Sequence, residues 1–548
     1  MKRWKRSLMS IMVAVLVIGT FTACGSSGSS NGNGNKEEAG GSGSGTTASK
    51  LKLLGPTGSN KYIKFEDRDK YPVWKEIEKM IQDANLDLEY ELVPNEQYNV
   101  VIQTRMASGS SLPGIVNISA LDNTTVLNLA KQGVLLDLKP LIEKYSNGNI
   151  KKMYDEEFPY AKKTTTSPDG KMYWFSNLHK KTYQDKDPAP VARTVLIRKD
   201  WLDKLSLPVP TNAQEYLETL KAFRDQDANG NGNKDEVLVY DTGKFEDAIA
   251  QWFGLGTDIT AVDVENKKVV SPWYQEGIKD YFQYMQQLVK EGILDTSLVG
   301  ATIEQRQQKM TENKVGSVTD YNLETFLEPT INGGGEFLPL MPLSAVDNIT
   351  PAVQVEPPFL VWQKYAITKD CKDVEAAIRF FDMIYSDKYA DLLYWGIEGQ
   401  TYKKDSNGAK VFIENISDEE RAKTGQTPGI KIFGDTVFPR VQFANLEFEL
   451  SGVSKEKADH ELNILKYKPY FVNMNGNYLA IPDEKQLETK TKILTNLRTY
   501  SEELATKLIL GQKSLDNWDE YISEMKKLGL DDLIAIDQQL LDRYNSIQ

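Results

Sequence analysis

The residues of this 548-residue chain best placed to do chemistry are those of Asp225–Glu236, DQDANGNGNKDE. Side chains ending in oxygen alternate there with glycines. A hard cation needs that pattern from a tight loop: Ca²⁺ takes about six to eight oxygen ligands, and glycine permits the sharp turn between them. Two registers fit. Read from Asp225, the EF-hand template puts Asp225, Asp227 and Asn229 at its first, third and fifth positions, Gly230 at the turn and Glu236 at the closing bidentate position. Read from Asp227, the ligands become Asp227, Asn229, Asn231, the Asn233 carbonyl, Asp235 and Glu236, with Gly232 at the turn, in a shorter loop. A solvated Asn/Gly turn without metal is the plain alternative.

The flanking elements make such a loop structural. Thr194–Arg198 reads as a strand and Lys199–Lys204 as a short helix. Thr211 and Gln214 then match a capping box for a helix carrying Tyr216, Leu220 and Phe223 on one face. Val237–Tyr240, after the loop, is apolar and β-prone. A helix–loop–strand unit of this kind pins a turn and leaves no ligand over for catalysis. The whole run, LIRKDWLDKLSLPVPTNAQEYLETLKAFRDQDANGNGNKDE, resembles the corresponding segment of family 1 extracellular solute-binding lipoproteins, especially those similar to alginate-binding proteins. The resemblance implies a structural Ca²⁺ in the shorter register. It also implies an α/β, two-lobe periplasmic-binding-protein-like (type II) fold, hinged between the lobes, with a helical C-terminal part.

Composition bounds the rest. A chain this long, 40% hydrophobic, exceeds one compact core and favours two lobes. Its net charge of −13 argues against nucleic acid and anionic membrane as main partners, and makes a strongly anionic ligand less natural unless a local basic cleft overrides the average. Two cysteines and two histidines leave little material for a His/Cys metal centre.

MKRWKRSLMSIMVAVLVIGTFTAC reads as a signal peptide over 1–23, with a basic start and an apolar run too short to span a bilayer. Phe21-Thr22-Ala23-Cys24 resembles a bacterial lipobox, which makes Cys24 the expected lipidation site. The Gly/Ser/Asn-rich stretch from 24 to 48 reads as a tether, a coil spanning on the order of 25–30 Å. Strands at Lys50–Leu54, Leu86–Leu92 and Gly114–Ile118 alternate with helices, one carrying Trp74, Ile77, Met80 and Ile81, and argue for a parallel-based sheet. With the resemblance, the first lobe is expected at 50–165 plus about 315–375. The second, with the calcium loop, is expected at 166–314 plus about 376–548. Asn313–Tyr321 reads as the return to the first lobe.

Catalytic motifs are scarce. GxSxG and GxxxxGK[ST] do not occur. His179 and His460 read as surface or helix histidines, and Cys371 as a packed thiol at a helix start where the dipole favours thiolate. Aromatics carry the positive argument, because the C–H faces of sugar rings stack on flat rings while their hydroxyls need amide and carboxylate partners. Trp174, Trp252, Tyr321, Trp362 and Trp395 fall in expected loops or crossings; Asn177, Arg193 and Glu398 are the polar candidates. Trp74, Trp201 and Trp518 read as packing.

The expected protein is therefore no enzyme. It is a monomeric substrate-binding lipoprotein, anchored outside a Gram-positive-type cell, that closes on an oligosaccharide and passes it to the permease subunits of an ABC importer. A secreted polysaccharide-degrading enzyme and a peptide-binding protein are the alternatives.

Overall fold

A computed structural model describes residues 48–547, leaving out 59–61, 110, 184–186, 189–193, 240–247, 257–258, 299–302, 321–329, 331–332, 356–358, 407, 409, 414–417, 434–437, 445–464 and 476–477. Signal peptide, Cys24, tether, Arg193, Tyr321 and His460 lie outside the described residues.

The chain first lays down strands β1 (Ser49–Pro56), β2 (Leu86–Val93), β3 (Ile115–Asn117) and β4 (Phe175–Tyr183). It then crosses to build β5 (Thr194–Arg198), β6 (Val237–Val239), β7 (Val315–Asp320) and β8 (Phe337–Pro339), and returns for β9 (Phe359–Ile367) and β10 (Val441–Ala444). The larger sheet has the order β10-β4-β9-β3-β1-β2, with Asp187–Pro188 paired to β4; the smaller runs β8-β5-β7-β6. Strands β1, β2 and β3 are mutually parallel, β10 is parallel to β4, and β9 runs against both β3 and β4. In the smaller sheet β6 and β7 are parallel and β5 opposes β7.

Helices cover these sheets where their apolar stripes demand it. Helix α1 (Pro72–Asp83) starts with Pro at its first turn and buries Val73, Trp74, Ile77, Met80 and Ile81. Helices α2 (Asn95–Ser108) and α3 (Asn123–Lys131) close the other face of the large sheet around Val116, Ile118 and Val126. In the second core, α4 (Ala213–Asp225) buries Tyr216, Leu217, Leu220 and Phe223, and α5 (Ala248–Trp252) is buried at every residue. The helix α4 is capped one residue later than the capping-box reading, because Asn212 accepts the Glu215 N–H at 2.9 Å while Glu215 reaches back to Thr211. Helix α6 (Val374–Ile384) packs with the large sheet. At the C-terminal end, α7 (Glu484–Ile509) and α8 (Leu530–Ser546) follow, and α8 supplies Leu530 and Leu533 to the second core but Leu541 and Tyr544 to the first.

The segments pass between sheets differently from the expected boundaries. Val315–Asp320, read as the return, is β7 in the middle of the smaller sheet, and the return is β9. Phe175–Tyr183, expected in the second lobe, and Val374–Ile384, expected there from about 376 onward, belong with the large sheet. Strand alternation reports that strands exist; the partner sheet is set by long-range burial.

Candidate functional site

In the calcium-like loop, α4 ends at Asp225, whose carboxylate points out and is paired with Arg224 at 3.1 Å and Lys234 at 3.4 Å. Arg224 chiefly holds that carboxyl below its ordinary range. Asp227 is the first residue to turn inward. Its backbone is left-handed (φ 51°), as are Gly230 (77°) and Gly232 (83°). The Asp227 carboxylate accepts the N–H groups of Asn231 and Gly232, each at 2.9 Å. Asn229 Oδ1 accepts Asn231 N–H at 2.9 Å and Asn231 Oδ1 accepts Asn233 N–H at 2.8 Å. The amides of Asn229 and Asn231 both donate to Asp235 Oδ1. Glu236 is 1% exposed; its Oε1 accepts Asn229 N–H at 3.1 Å, while its buried Oε2 has no hydrogen-bond partner. Burial pushes the Glu236 carboxyl above its ordinary range, and the charges of Asp235 and Asp227 push the same way.

This arrangement follows the shorter register, with Asp225 turned away. Among the described residues no three His, Cys, Asp or Glu side chains gather as a metal cluster. The oxygen set here is instead mixed, carboxylate with amide and carbonyl, and it leaves one buried carboxylate oxygen bare. That chemistry suits a hard cation.

The second candidate lies where the chain passes between sheets. The segment after β4 enters β5 at Thr194, which pairs with Asp320 at the carboxyl end of β7; β8 leaves the smaller sheet toward the same end. On the large sheet, β4 leaves beyond the carboxyl end of β3, and antiparallel β9 enters there. Both carboxyl ends therefore meet the connections, the place where open α/β sheets hold ligands.

Polar groups collect there. Asn177 is fully buried: its Oδ1 accepts Arg440 N–H at 2.7 Å and its Nδ2 has no partner. Trp362 is its ladder partner, and the Trp362 side chain lies outside the described residues. Between Trp362 and Tyr365 the ladder slips, and Gln363 takes a left-handed φ of 62°. Such a bulge re-aims side chains. Gln363 Oε1 accepts Asn117 Nδ2 at 3.1 Å and lies 2.6 Å from Ser119 Oγ, which in turn accepts the Lys364 N–H at 2.8 Å. Lys364 Nζ donates to Asn123 Oδ1 at 2.6 Å and stands 5.5 Å from the Trp174 ring centre. On the smaller sheet's side, Thr319 Oγ1 at the end of β7 and Gln251 Nε2 on α5 are buried without partners.

The structure thus brings together Trp174, Asn177 and the backbone of Trp362. It gives Trp252, Trp395 and Glu398 other neighbours. Trp252 is 2% exposed and packs edge-on against Tyr216 at 5.1 Å, so it offers no open face. Trp395 is buried against Phe412 and Tyr402 in the first core. Glu398 is exposed and ion-paired with Lys404 at 3.4 Å. Cys371 is half-buried before α6, and burial pushes its thiol up to about 11, opposite to the direction a helix dipole favours. Sequence reasoning missed Asn117, Ser119, Asn123, Gln363 and Lys364. The available signal was the polar turn directly after β3, which in a parallel sheet is ligand territory.

The family profile described as "Bacterial extracellular solute-binding protein" matches residues 65–391. The fructooligosaccharide ABC transporter substrate-binding protein FusA of Streptococcus pneumoniae serotype 4 is 24% identical over 460 residues, covering 80% of this chain and 81% of that protein. Its solved EF-hand mutant in complex with fructo-nystose superposes with a TM-score of 0.67 at 21% identity, over 91% of this chain and 100% of that one. An HMO-binding, ABC-transporter-associated solute-binding protein of Bifidobacterium longum infantis gives 0.70 at 18% identity, over 90% and 99%. The alginate-binding protein AlgQ2, solved without calcium ion, gives 0.63 at 23% identity, over 90% and 98%. These structural likenesses show the two-lobe α/β fold.

Proposed function

Because the chain belongs to the bacterial extracellular solute-binding protein family, we propose that it captures an oligosaccharide between its two lobes and delivers it intact to an ABC permease. The observation that carries this reading is the pairing of buried, unpartnered hydrogen-bonding atoms with the carboxyl ends of both sheets: Asn177 Nδ2 on one side, Thr319 Oγ1 and Gln251 Nε2 on the other. Leaving such groups bare costs about 1–3 kcal/mol each. Sugar hydroxyls, which both donate and accept, would satisfy them on closure, and that differential contact is what lets a ligand shift an open–closed equilibrium. FusA, the HMO-binding protein and the alginate-binding protein AlgQ2 are each named for a saccharide.

In this reading the first lobe comprises β1–β4 with β9, α6 and β10, and the second comprises β5–β8. Asp227, Asn229, Asn231, the Asn233 carbonyl, Asp235 and Glu236 would hold a structural Ca²⁺, supported by the bare Glu236 oxygen and by the similarity to FusA, solved as an EF-hand mutant, and to AlgQ2, solved without calcium ion. The protein acts as a binder without turnover, tethered through lipid on Cys24 to the outer face of the cell membrane.

Isothermal titration of the purified mature protein against an oligosaccharide panel tests the reading. Saturable one-to-one binding with no new products on incubation is the expected result. Cleavage of a glycan would turn the assignment to a hydrolase, and binding of peptides with silence across sugars would turn it to a peptide receptor.

A further inference from the structure

Lys364 is a cation held in an unusual setting. It follows the left-handed Gln363 in the β9 bulge, and its N–H and carbonyl are fixed by Ser119 Oγ and Ile118 N–H just past the carboxyl end of β3. Its ammonium has three N–H donors. One goes to Asn123 Oδ1 at 2.6 Å, and the charge lies over the Trp174 ring at 5.5 Å. Among the described residues no carboxylate forms an ion pair with it. The acidic charge that reaches it is Asp122, whose oxygens already accept the N–H and hydroxyl of Thr125, each at 2.9 Å. Burial pulls the Lys364 ammonium below the ordinary lysine range, against the opposing charge of Asp122.

A chain with 78 acidic residues has ample means to neutralise a buried lysine. Here the surroundings supply an amide oxygen, a hydroxyl-rich turn and an indole face instead. Such neighbours orient an ammonium without discharging it. The group is therefore set to meet negative charge that arrives from outside, where a charge-assisted hydrogen bond in a partly dry site is strong. Chain-wide acidity would repel an anion at long range, so discrimination has to come from a local contact.

We propose that Lys364 is a specificity-determining contact of the cleft and that the ligand is an oligosaccharide bearing a carboxylate, a sugar acid rather than a neutral sugar. This rests on the oligosaccharide reading above and names its class. Trp174 and Asn123 act as positioning residues that hold the ammonium toward the β3 turn.

Matched ligands test it: short oligogalacturonates, oligoalginates, glucuronate-containing oligomers and sialyl-lactose, each beside its methyl ester, which keeps the shape and removes the charge. Titrations of wild type, Lys364→Gln and Lys364→Arg are run at 50 and 300 mM NaCl. At least one acid is expected to bind ten-fold or more tightly than its ester, with affinity falling as salt rises. Lys364→Gln should lose that preference, its affinities for acid and ester converging to within about two-fold of each other, and Lys364→Arg should retain it. An ester bound as well as its acid by wild type overturns the inference, as does a Lys364→Gln variant that keeps the preference. The wild-type comparison stands even if the glutamine variant folds poorly. Tight binding of neutral sugars alone removes the charge inference and leaves the oligosaccharide reading intact; binding of no saccharide of either kind removes both.

Discussion

Replacing Glu236 by glutamine should make the protein more stable in chelator and less stable in calcium. The side chain is 1% exposed, with one oxygen on Asn229 N–H and the other bare. Without metal, that bare oxygen carries part of a buried negative charge near Asp227 and Asp235, and burial raises its pKa. An unsatisfied buried polar group costs about 1–3 kcal/mol, and more when charged. Glutamine keeps an acceptor for Asn229 and removes the charge. The glutamine Nε2 donors still need partners there, so only the extra cost of the charge is recovered, a metal-free gain on the order of 1 kcal/mol, at roughly 2–4 °C of Tm per kcal/mol for a unit of 150–250 residues. Calcium at a hundred times its Kd would stabilise wild type by about 2.7 kcal/mol, most of which the variant forfeits without the closing carboxylate.

Differential scanning calorimetry of both proteins in EGTA and in millimolar CaCl₂ reads the crossing directly. The pH dependence fixes its origin. Glu236 has a folded pKa above its ordinary 4.5, so in chelator its protonated form favours the fold. That contribution is complete below the unfolded value and is lost as pH rises through the folded one. The advantage of glutamine in EGTA should thus open as pH climbs through that window and level off above it. In calcium, lowering the pH should instead weaken wild type, because protons compete with the metal for the carboxylates. A variant less stable than wild type in both buffers, or one whose Tm calcium raises as much as it raises that of wild type, would refute the reasoning.

Three further outcomes are open to measurement. Thr319→Val removes a buried hydroxyl without a partner at nearly constant shape, so Tm should hold or rise while oligosaccharide affinity falls by about 1 kcal/mol, roughly five-fold, in titration calorimetry. Trp252→Ala opens a cavity beside Tyr216 and should cost about 3–5 kcal/mol of stability by chemical denaturation, with the affinity of the remaining folded fraction unchanged. Cys24→Ser should move the protein from the membrane fraction into the culture medium, followed by immunoblot of both fractions; continued retention would remove the lipid anchor.

The parts of the molecule legible in the sequence are those whose physics is local. The stripe Trp74, Ile77, Met80 and Ile81 announces α1 because apolar residues at helical spacing have one way to leave water, and each is buried. The inward-turning loop was legible for the same reason: oxygen-bearing residues and glycines in phase leave few backbone paths, and the left-handed Asp227, Gly230 and Gly232 take one of them. The choice between registers was not local. It turns on Asp225 still belonging to α4, where Arg224 and Lys234 hold its carboxylate outward.

The cleft was illegible for a deeper reason. Asn117 meets Gln363 across 246 residues of chain, and Lys364 meets Asn123 across 241. Neither pair has a periodicity, and the bulge that joins them depends on a left-handed glutamine that no propensity marks. Tryptophan placement failed in the same way: a five-residue helix such as α5 is too short to show a stripe, so Trp252 reads as a loop residue until tertiary packing buries it. Interleaved chain paths make this the general situation here. Each sheet is assembled from strands distant in sequence, and the groups at their carboxyl ends become neighbours only when both sheets are complete. A site made this way cannot form in an isolated fragment. The fragment 48–183, lacking β9, would keep Asn117, Ser119 and Trp174 but lose the bulge that joins Gln363 to Asn117 and Lys364 to Asn123.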